Sequence, residues 1–283
     1  MAGDSELAEA VKLLARTHQT LIWDRQRATL RLGSGLREFF PAALEAFADL
    51  SAPDALELLG RAPDPTRAAR LSKATVTAAL SRAHRRDPQA KAEALVKLLR
   101  MPGLRQPPTA QGGYATIVTA QVQLIGLLTN RIATVQQEVA DHFGRHPDAE
   151  IYTSQPGLGV VLAARVLAEF GDDPDRYADA KSRKNYSGQS PVTKASGTKK
   201  VVLAGYARNG RLADALHQQA FCALTASPGA RAYYDALRAR GKGHHAALRQ
   251  LANRLVGILH GCLKTHTVYD ERTAWAHLID VAA

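Results

Sequence analysis

Residues 114–141 read YATIVTAQVQLIGLLTNRIATVQQEVAD, and this stretch decides the fold class. Its apolar side chains recur with heptad spacing, at Val118, Ile125, Ile132 and Val139 and, three positions after two of these, at Leu128 and Val135. A heptad seam of this length is typical of a long α-helix that packs against another helix. That helix can lie in the same chain, as an intramolecular hairpin, or in a second copy. The partner prediction is a homo-oligomer through residues 114–142, and the hairpin is the alternative.

Helical patterns continue on both sides of the seam. Apolar residues at spacings of three and four fill residues 5–60, and short helices joined by Pro and Gly follow. The Pro- and Gly-rich segment 101–113 predicts a linker, and no succession of alternating strands is found. We predict a mainly α protein, a helical bundle in three parts: a helical segment with linker (1–110), the long coiled-coil-like helix (114–142) and a C-terminal domain (150–283).

Composition narrows the function classes. The chain has 283 residues, 37 Lys and Arg against 26 Asp and Glu, and a formal net charge of +11. A basic excess of this size suggests an anionic polymer, DNA or RNA, as the partner, and an ordinary basic protein is the alternative. Only two cysteines are present, and neither a signal peptide nor a membrane-spanning run is found. We therefore expect a cytoplasmic protein with no membrane partner.

A Pro-Gly-Leu-Gly turn at Pro156–Gly159 leads into the apolar segment VVLAARVLAEF. Gly157 and Gly159 let the backbone turn tightly and approach a partner closely. The helix that follows offers unpaired N-terminal amides, which suit a phosphate. The pattern is typical of a helix-hairpin-helix element that grips a nucleic-acid backbone, although a plain turn between two helices explains it equally well.

The segment between Asp179 and Asp214 contains no acidic residue. Ordinary surfaces mix both signs of charge, so this segment favours phosphate contact, with Tyr186 and Tyr206 available for stacking. The predicted cationic contacts are Lys181, Arg183, Lys184, Lys194, Lys199, Lys200, Arg208 and Arg211.

These motifs together resemble one family of transposases. The order PGLG, VVLAARVLAEFGD, RKNYSGQSP, KASGTKK and YARNGRLADAL is similar to the C-terminal domain of the bridge-RNA-guided insertion-sequence one-ten family. The segment 230–270 also resembles that domain, and ARTHQTLIWDRQRATLRLGSGLREFFPAALEAF resembles the segment after the family's carboxylate domain. The resemblance spans nearly the whole chain. It implies DNA transposition or recombination, with DNA and a guide RNA as partners.

The resemblance also implies a nucleophilic serine. The family carries it in a Ser-Ser-Gly-Gly-like loop after a Gly-x-x-Pro turn, and here the matching loop is Ala195–Thr198. Ser196 is the matching hydroxyl, Gly197 permits close approach, and Ser190 and Ser187 are the fallbacks. Ala195 and Thr198 depart from the family pattern. A serine that attacks a phosphodiester needs cations nearby, which Lys194, Lys199 and Lys200 would supply.

The family's four metal-binding carboxylates belong to an N-terminal DEDD domain that resembles a Holliday-junction resolvase. No strand-rich segment with such acids is found here, so we expect that domain to be largely missing and the chain to be catalytically incomplete by itself. Mg²⁺ is implied for the intact family, whereas no metal ligand and no cofactor are assigned in this chain.

Two other function classes stay open: a non-catalytic nucleic-acid-binding protein and a helical interaction protein that uses the heptad helix. His244 and His245 stand at a predicted helix start, where phosphate contact and a polar helix entry are both open. The spacing of His260, Cys262 and His266 matches no common zinc pattern and favours an amphipathic helix.

Overall fold

The computed structural model describes residues 3–101, 103, 106–197, 199–204 and 208–279, with the backbone alone described at 192–195, 199–204 and 277–279. Helices dominate, as the sequence predicts. The elements are α1 (Glu6–Phe39), α2 (Pro41–Ala46), α3 (Pro53–Arg61), α4 (Pro65–Ala68), α5 (Lys73–Arg82), α6 (Pro88–Leu99), α7 (Pro108–Gly144), α8 (Ala149–Ser154), α9 (Val160–Phe170), α10 (Ala180–Tyr186), β1 (Pro191–Ser196), β2 (Lys199–Ala204), α11 (Gly210–Ala226), α12 (Pro228–Ala239), α13 (His244–Thr265) and α14 (Glu271–Ile279).

The chain forms two compact units. One comprises residues up to Thr17 together with those from Val135 onward, and the other comprises His18–Thr134. These units divide the chain differently from the three predicted segments, because the boundaries fall inside α1 and α7. Among the described residues, no helix combines the length and apolar content that a bilayer crossing requires.

The His18–Thr134 unit is built from α-helices whose starts are fixed by proline. Pro41, Pro53 and Pro65 each stand in the first turn of a helix, where the missing N–H costs nothing. Buried apolar residues of α1 to α7 form one core, in which the rings of Phe39 and Tyr114 stack with their centroids 4.9 Å apart. This unit therefore has a hydrophobic core of its own.

The heptad seam is buried within the chain. Val118, Ile125 and Leu128 belong to the core of the His18–Thr134 unit, and Val139 belongs to the core of the other unit. The intramolecular alternative therefore accounts for the seam. Helix α7 begins at Pro108, so the predicted linker is wrong from that residue on. Gly112 and Gly113 are tolerated inside the helix, and no atom lies within 4 Å of where their Cβ atoms would stand.

The other unit is centred on α9, α11 and α13. Helix α13 buries one stripe at spacings of three and four, formed by Ala247, Leu248, Leu251, Ala252, Leu255, Val256 and Leu259. Trp275 of α14 is 1% exposed and lies against Gly229, where a Cβ would stand 2.2 Å from the Trp275 Cγ. Trp275 is thus a core residue rather than a platform for bases.

Strands β1 and β2 form an antiparallel hairpin in which Pro191 pairs with Ala204 and Ser196 with Lys199. The loop predicted at Ala195–Thr198 is wrong at Ala195 and Ser196, which belong to β1. Each strand has only six residues, and Lys and Gly obscure the alternation. Val192, Thr193, Val201 and Val202 are the β-branched residues that could have revealed the hairpin.

Candidate nucleic-acid interface

Ser196 ends β1 and is exposed to solvent. Gly197 follows with a φ of +55°, a left-handed conformation that glycine adopts without strain, and no described atom lies within 4 Å of where its Cβ would stand. The hairpin therefore holds the predicted nucleophile at a sharp turn that is open to an approaching backbone.

The two fallback serines lie in different surroundings. Ser187 is fully buried, and its hydroxyl donates to the Lys184 carbonyl at 2.7 Å. Ser190 is half-buried and accepts a long hydrogen bond of 3.4 Å from the Asn253 amide. Ser187 cannot reach a substrate without local unfolding, so the geometry favours Ser196 over this fallback.

The chain on either side of the hairpin is anchored in the fold. Gly188 has a φ of +69°, and a Cβ there would stand 2.4 Å from the Arg208 Cβ, so only glycine fits this contact. The Asn209 side chain accepts from the backbone N–H groups of Arg211 and Leu212 and so caps α11. Both flanks of the hairpin are thus held by tertiary contacts.

Glu169, at the end of α9, ties this anchor together. Its carboxylate accepts two hydrogen bonds of 2.8 Å from Arg16 and one of 2.7 Å from the Asn209 amide. Burial raises the pKa of Glu169, but these hydrogen bonds and the charge of Arg16 outweigh burial and hold the pKa below its usual value. The cluster therefore fixes the start of α11, which follows the hairpin.

The predicted helix-hairpin-helix turn joins α8 to α9. Gly157 has a φ of +80°, and a Cβ there would stand 2.5 Å from the Gln219 carbonyl oxygen of α11. Gly159 stands at the N-cap of α9, and no atom of the described residues lies within 4 Å of where its Cβ would stand. The close approach that requires Gly157 is made by the protein's own α11, and Gly159 alone leaves room for a partner.

The predicted cationic residues divide by exposure. Lys181 is exposed, whereas Arg183 is 7% exposed and its guanidinium lies over the rings of Phe170 and Tyr177 at 5.1 Å and 4.6 Å from their centroids. Arg183 therefore serves packing rather than surface contact.

Lys184 and Arg211 are half-buried. Burial lowers the pKa of the Lys184 ammonium, and the nearby Arg254 lowers it further. Arg211 donates to the Arg16 carbonyl at 3.4 Å. The side chains of Lys194, Lys199 and Lys200 and the whole of Tyr206 lie outside the described residues.

A cavity of about 360 Å³ lies beside the turn that precedes β1. Its lining includes Arg208, which the sequence predicts as a contact, and His245, for which phosphate contact was left open. Sequence reasoning missed Gln189, His217 and Arg249. Arg249 follows His245 by four residues on α13, a spacing that places both on one helix face and could have revealed the pair.

The described residues contain no group of three or more His, Cys, Asp or Glu side chains close enough to hold a metal ion. The acidic ligands that Mg²⁺ prefers are thus not brought together in the described part of the chain. Consequently, we derive no step through a metal from these residues.

Comparison with known proteins identifies the protein family. Residues 149–235, which include α8 to α11, the hairpin and most of α12, match the family described as Transposase IS116/IS110/IS902.

Three curated relatives extend the match along the chain. A Streptomyces coelicolor protein named as the candidate mini-circle transposase for IS117 is 41% identical over 288 aligned residues, covering 100% of this chain and 70% of the relative. The uncharacterized 42 kDa protein of insertion element IS900 from Mycobacterium paratuberculosis is 30% identical over 97% of this chain and 68% of its own length. The uncharacterized 44.8 kDa protein of IS116 from Streptomyces clavuligerus is 29% identical over 93% and 66%.

The chain belongs to the IS116/IS110/IS902 family of transposases. The family resemblance predicted from the sequence is confirmed at this level.

Proposed function

We propose that this chain acts in DNA transposition, that Ser196 is the nucleophile that attacks a DNA phosphodiester, and that the chain needs the carboxylate domain implied by the family resemblance to do so. The observation that carries the proposal is the exposure of Ser196 at the hairpin turn, within the stretch that matches the transposase family. DNA is the proposed substrate because the family is one of transposases and because residues 180–213 carry no acid.

The chemistry is a transesterification. The Ser196 Oγ forms a bond to phosphorus and gives up its proton, while one P–O ester bond of the strand breaks and the departing strand end takes up a proton as a free hydroxyl. The phosphoserine keeps the ester bond, so a strand hydroxyl can later attack it and release the serine. Cations near the phosphate would stabilise the developing charge.

Trapping of the covalent intermediate tests this function. The wild-type chain, joined to the carboxylate domain of a family member, is incubated with end-labelled DNA in the presence of Mg²⁺ and denatured in detergent, and labelled protein is then measured on a gel. Ser196→Ala is expected to abolish the adduct, whereas Ser190→Ala should retain it. DNA binding without any adduct, unchanged by Ser196→Ala, would instead identify a non-catalytic nucleic-acid-binding protein.

A guide RNA is proposed as a second partner on two grounds. The resemblance to bridge-RNA-guided transposases implies it, and the acid-free basic segment suits any phosphate backbone, since phosphate contacts do not distinguish RNA from DNA.

We also propose that the homo-oligomer expected through residues 114–142 forms through the exposed face of α7. The seam is buried in the chain, but Ile117, Leu124 and Leu127 are 51%, 38% and 54% exposed and follow one another at spacings of seven and three. A second heptad stripe of this kind suits a helix from another copy.

Light scattering after gel filtration tests this prediction by measuring the molar mass in solution. Wild-type protein is expected at twice the monomer mass or above, and Leu127→Glu should reduce it to the monomer, because a charge on the stripe loses its apolar contact. Leu30→Glu is the matched control, since Leu30 is 65% exposed on α1. A monomeric wild-type protein, or a Leu127→Glu variant that keeps the wild-type mass, contradicts the proposal.

A further inference from the structure

The cavity beside the turn before β1 collects positive charge. Arg208 lies just before α11, His217 lies on α11, and His245 and Arg249 lie on α13, all of them lining the same space. The rings of His217 and His245 have their centroids 5.6 Å apart. Four cationic or titratable side chains from separated parts of the chain thus meet in one cavity.

The cavity has little negative charge to balance these groups. Its one lining carboxylate, Asp214, already accepts a 2.6 Å ion pair from Arg165 and a 2.9 Å hydrogen bond from Gln218. Among the described residues, neither Arg208 nor Arg249 has a hydrogen bond or an ion pair with a protein group. Both guanidinium groups therefore keep their hydrogen-bonding capacity for a ligand.

Gln189 supplies a neutral polar group at the same place. It is 5% exposed and lines the cavity, and within the described part of the chain its side-chain amide has no hydrogen-bond partner. Gln189 is held in position because it follows Gly188, which packs against Arg208.

We propose that Gln189, Arg208, His217, His245 and Arg249 form a binding site for a phosphate group of a nucleic-acid backbone. Guanidinium groups bind phosphate oxygens through charge-assisted, often bidentate hydrogen bonds. An amide N–H of Gln189 and the imidazole N–H groups complete a set of donors around one tetrahedral anion. The volume of about 360 Å³ is at the lower end of the range for small-ligand sites and accommodates a phosphate with its sugar.

The site is close to the proposed nucleophile along the chain. Ser196 follows Gln189 by seven positions, and a fully extended chain over seven positions spans at most ~25 Å. Phosphates of one DNA strand are spaced by about 3.4 Å along the duplex axis. The bound phosphate and the attacked phosphate would then lie within roughly seven nucleotides of each other on a duplex. The assignment of the phosphate to a substrate strand rests on the proposed function.

The test uses the full chain and two probes, inorganic phosphate and a 20-base-pair DNA duplex. Histidine ring signals in NMR spectra report on the first probe, with His217→Asn and His245→Asn used to assign them. We expect phosphate to shift the His217 and His245 signals in wild-type protein and in Arg240→Gln. Arg240→Gln is the matched control, because Arg240 is exposed at the end of α12 and does not line the cavity.

Arg249→Gln should lose that shift and bind the duplex roughly tenfold to a hundredfold more weakly. The slope of the logarithm of affinity against the logarithm of salt concentration should fall by about one. Arg240→Gln should weaken binding less than about threefold. Circular dichroism checks the folding of each variant. If Arg249→Gln unfolds, Arg208→Gln repeats the test, because Arg208 lies outside α13.

Two results would overturn the inference. Wild-type affinity for the duplex in both Arg249→Gln and Arg208→Gln rules out a backbone phosphate here, and a phosphate shift without that loss would assign the site to free phosphate. No shift of either histidine in wild-type protein also overturns it. Ser196→Ala separates this inference from the proposed function, since it should abolish the covalent adduct and leave the phosphate response intact.

Discussion

Two Ser-Gly pairs, Ser187–Gly188 and Ser196–Gly197, lie nine residues apart and have opposite surroundings. The first pair is buried, its hydroxyl bonded to the Lys184 carbonyl and its glycine packed against Arg208. The second pair is exposed at the hairpin turn, with open space around the glycine. Both glycines have positive φ, so the same local conformation serves a structural turn in one case and an accessible hydroxyl in the other.

The comparison teaches that a Ser-Gly pair in a basic segment is not by itself a sign of catalysis. What distinguishes the two pairs is whether tertiary contacts occupy the serine hydroxyl and the space beside the glycine. Only the exposed pair offers a hydroxyl to a large backbone such as DNA.

Alanine substitution at the two glycines should reveal the largest difference in stability between the two Ser-Gly pairs. Gly188→Ala adds a Cβ that would stand 2.4 Å from the Arg208 Cβ, so we expect a loss of about 2–4 kcal/mol from backbone strain and overpacking together. Gly197→Ala meets no atom of the described residues and should lose only about 1 kcal/mol, from the left-handed conformation alone. Urea unfolding of both variants measures the difference, and equal losses would contradict the structural contrast.

Removal of the Glu169 charge should also destabilise the protein, by less free energy than Gly188→Ala. Glu169→Gln keeps the size but weakens the hydrogen bonds from Arg16 and Asn209, and we expect a loss of about 2 kcal/mol at pH 7. Glu93→Gln is the control, because Glu93 forms an exposed pair with Lys73 and its loss should leave the urea midpoint unchanged.

The pH dependence of this effect follows from the lowered pKa of Glu169. A carboxylate whose pKa is lower in the folded state stabilises the protein fully above its ordinary value of 4.5, and this stabilisation is lost as the pH falls through the folded value. The difference between wild type and Glu169→Gln should therefore shrink in acid. A constant difference from pH 7 down to acid unfolding would show that the charge is not responsible.

Local periodicity predicted the helical fold and failed at the junctions. The seam at Val118, Ile125 and Val139 was visible because helical spacing is a property of nearby residues. The start of α7 at Pro108 was missed because Pro and Gly locally favour a turn, and tertiary context overrides that preference. The hairpin was missed because two six-residue strands carry little periodic signal.

The candidate site was predicted in part for the same reason. Ser196 and Arg208 lie in a recognisable segment, so the sequence could single them out. His217 and Arg249 come together with Gln189 only through the packing of α11 against α13, and no local pattern records that contact. The burial of Arg183 could not be predicted from local sequence either, because its cation–π partner Phe170 lies on another helix.

Identification of the residue that carries the covalent phosphate tests the central claim most directly. The chain joined to the carboxylate domain of a family member is reacted with DNA, the DNA is digested to a nucleotide stub, and the peptides are sequenced by mass spectrometry. A phosphodiester-linked nucleotide on Ser196, and none on Ser187 or Ser190, is the predicted result. A stub on another residue would contradict the assignment of Ser196, and DNA binding without any modified peptide would contradict the proposed chemistry.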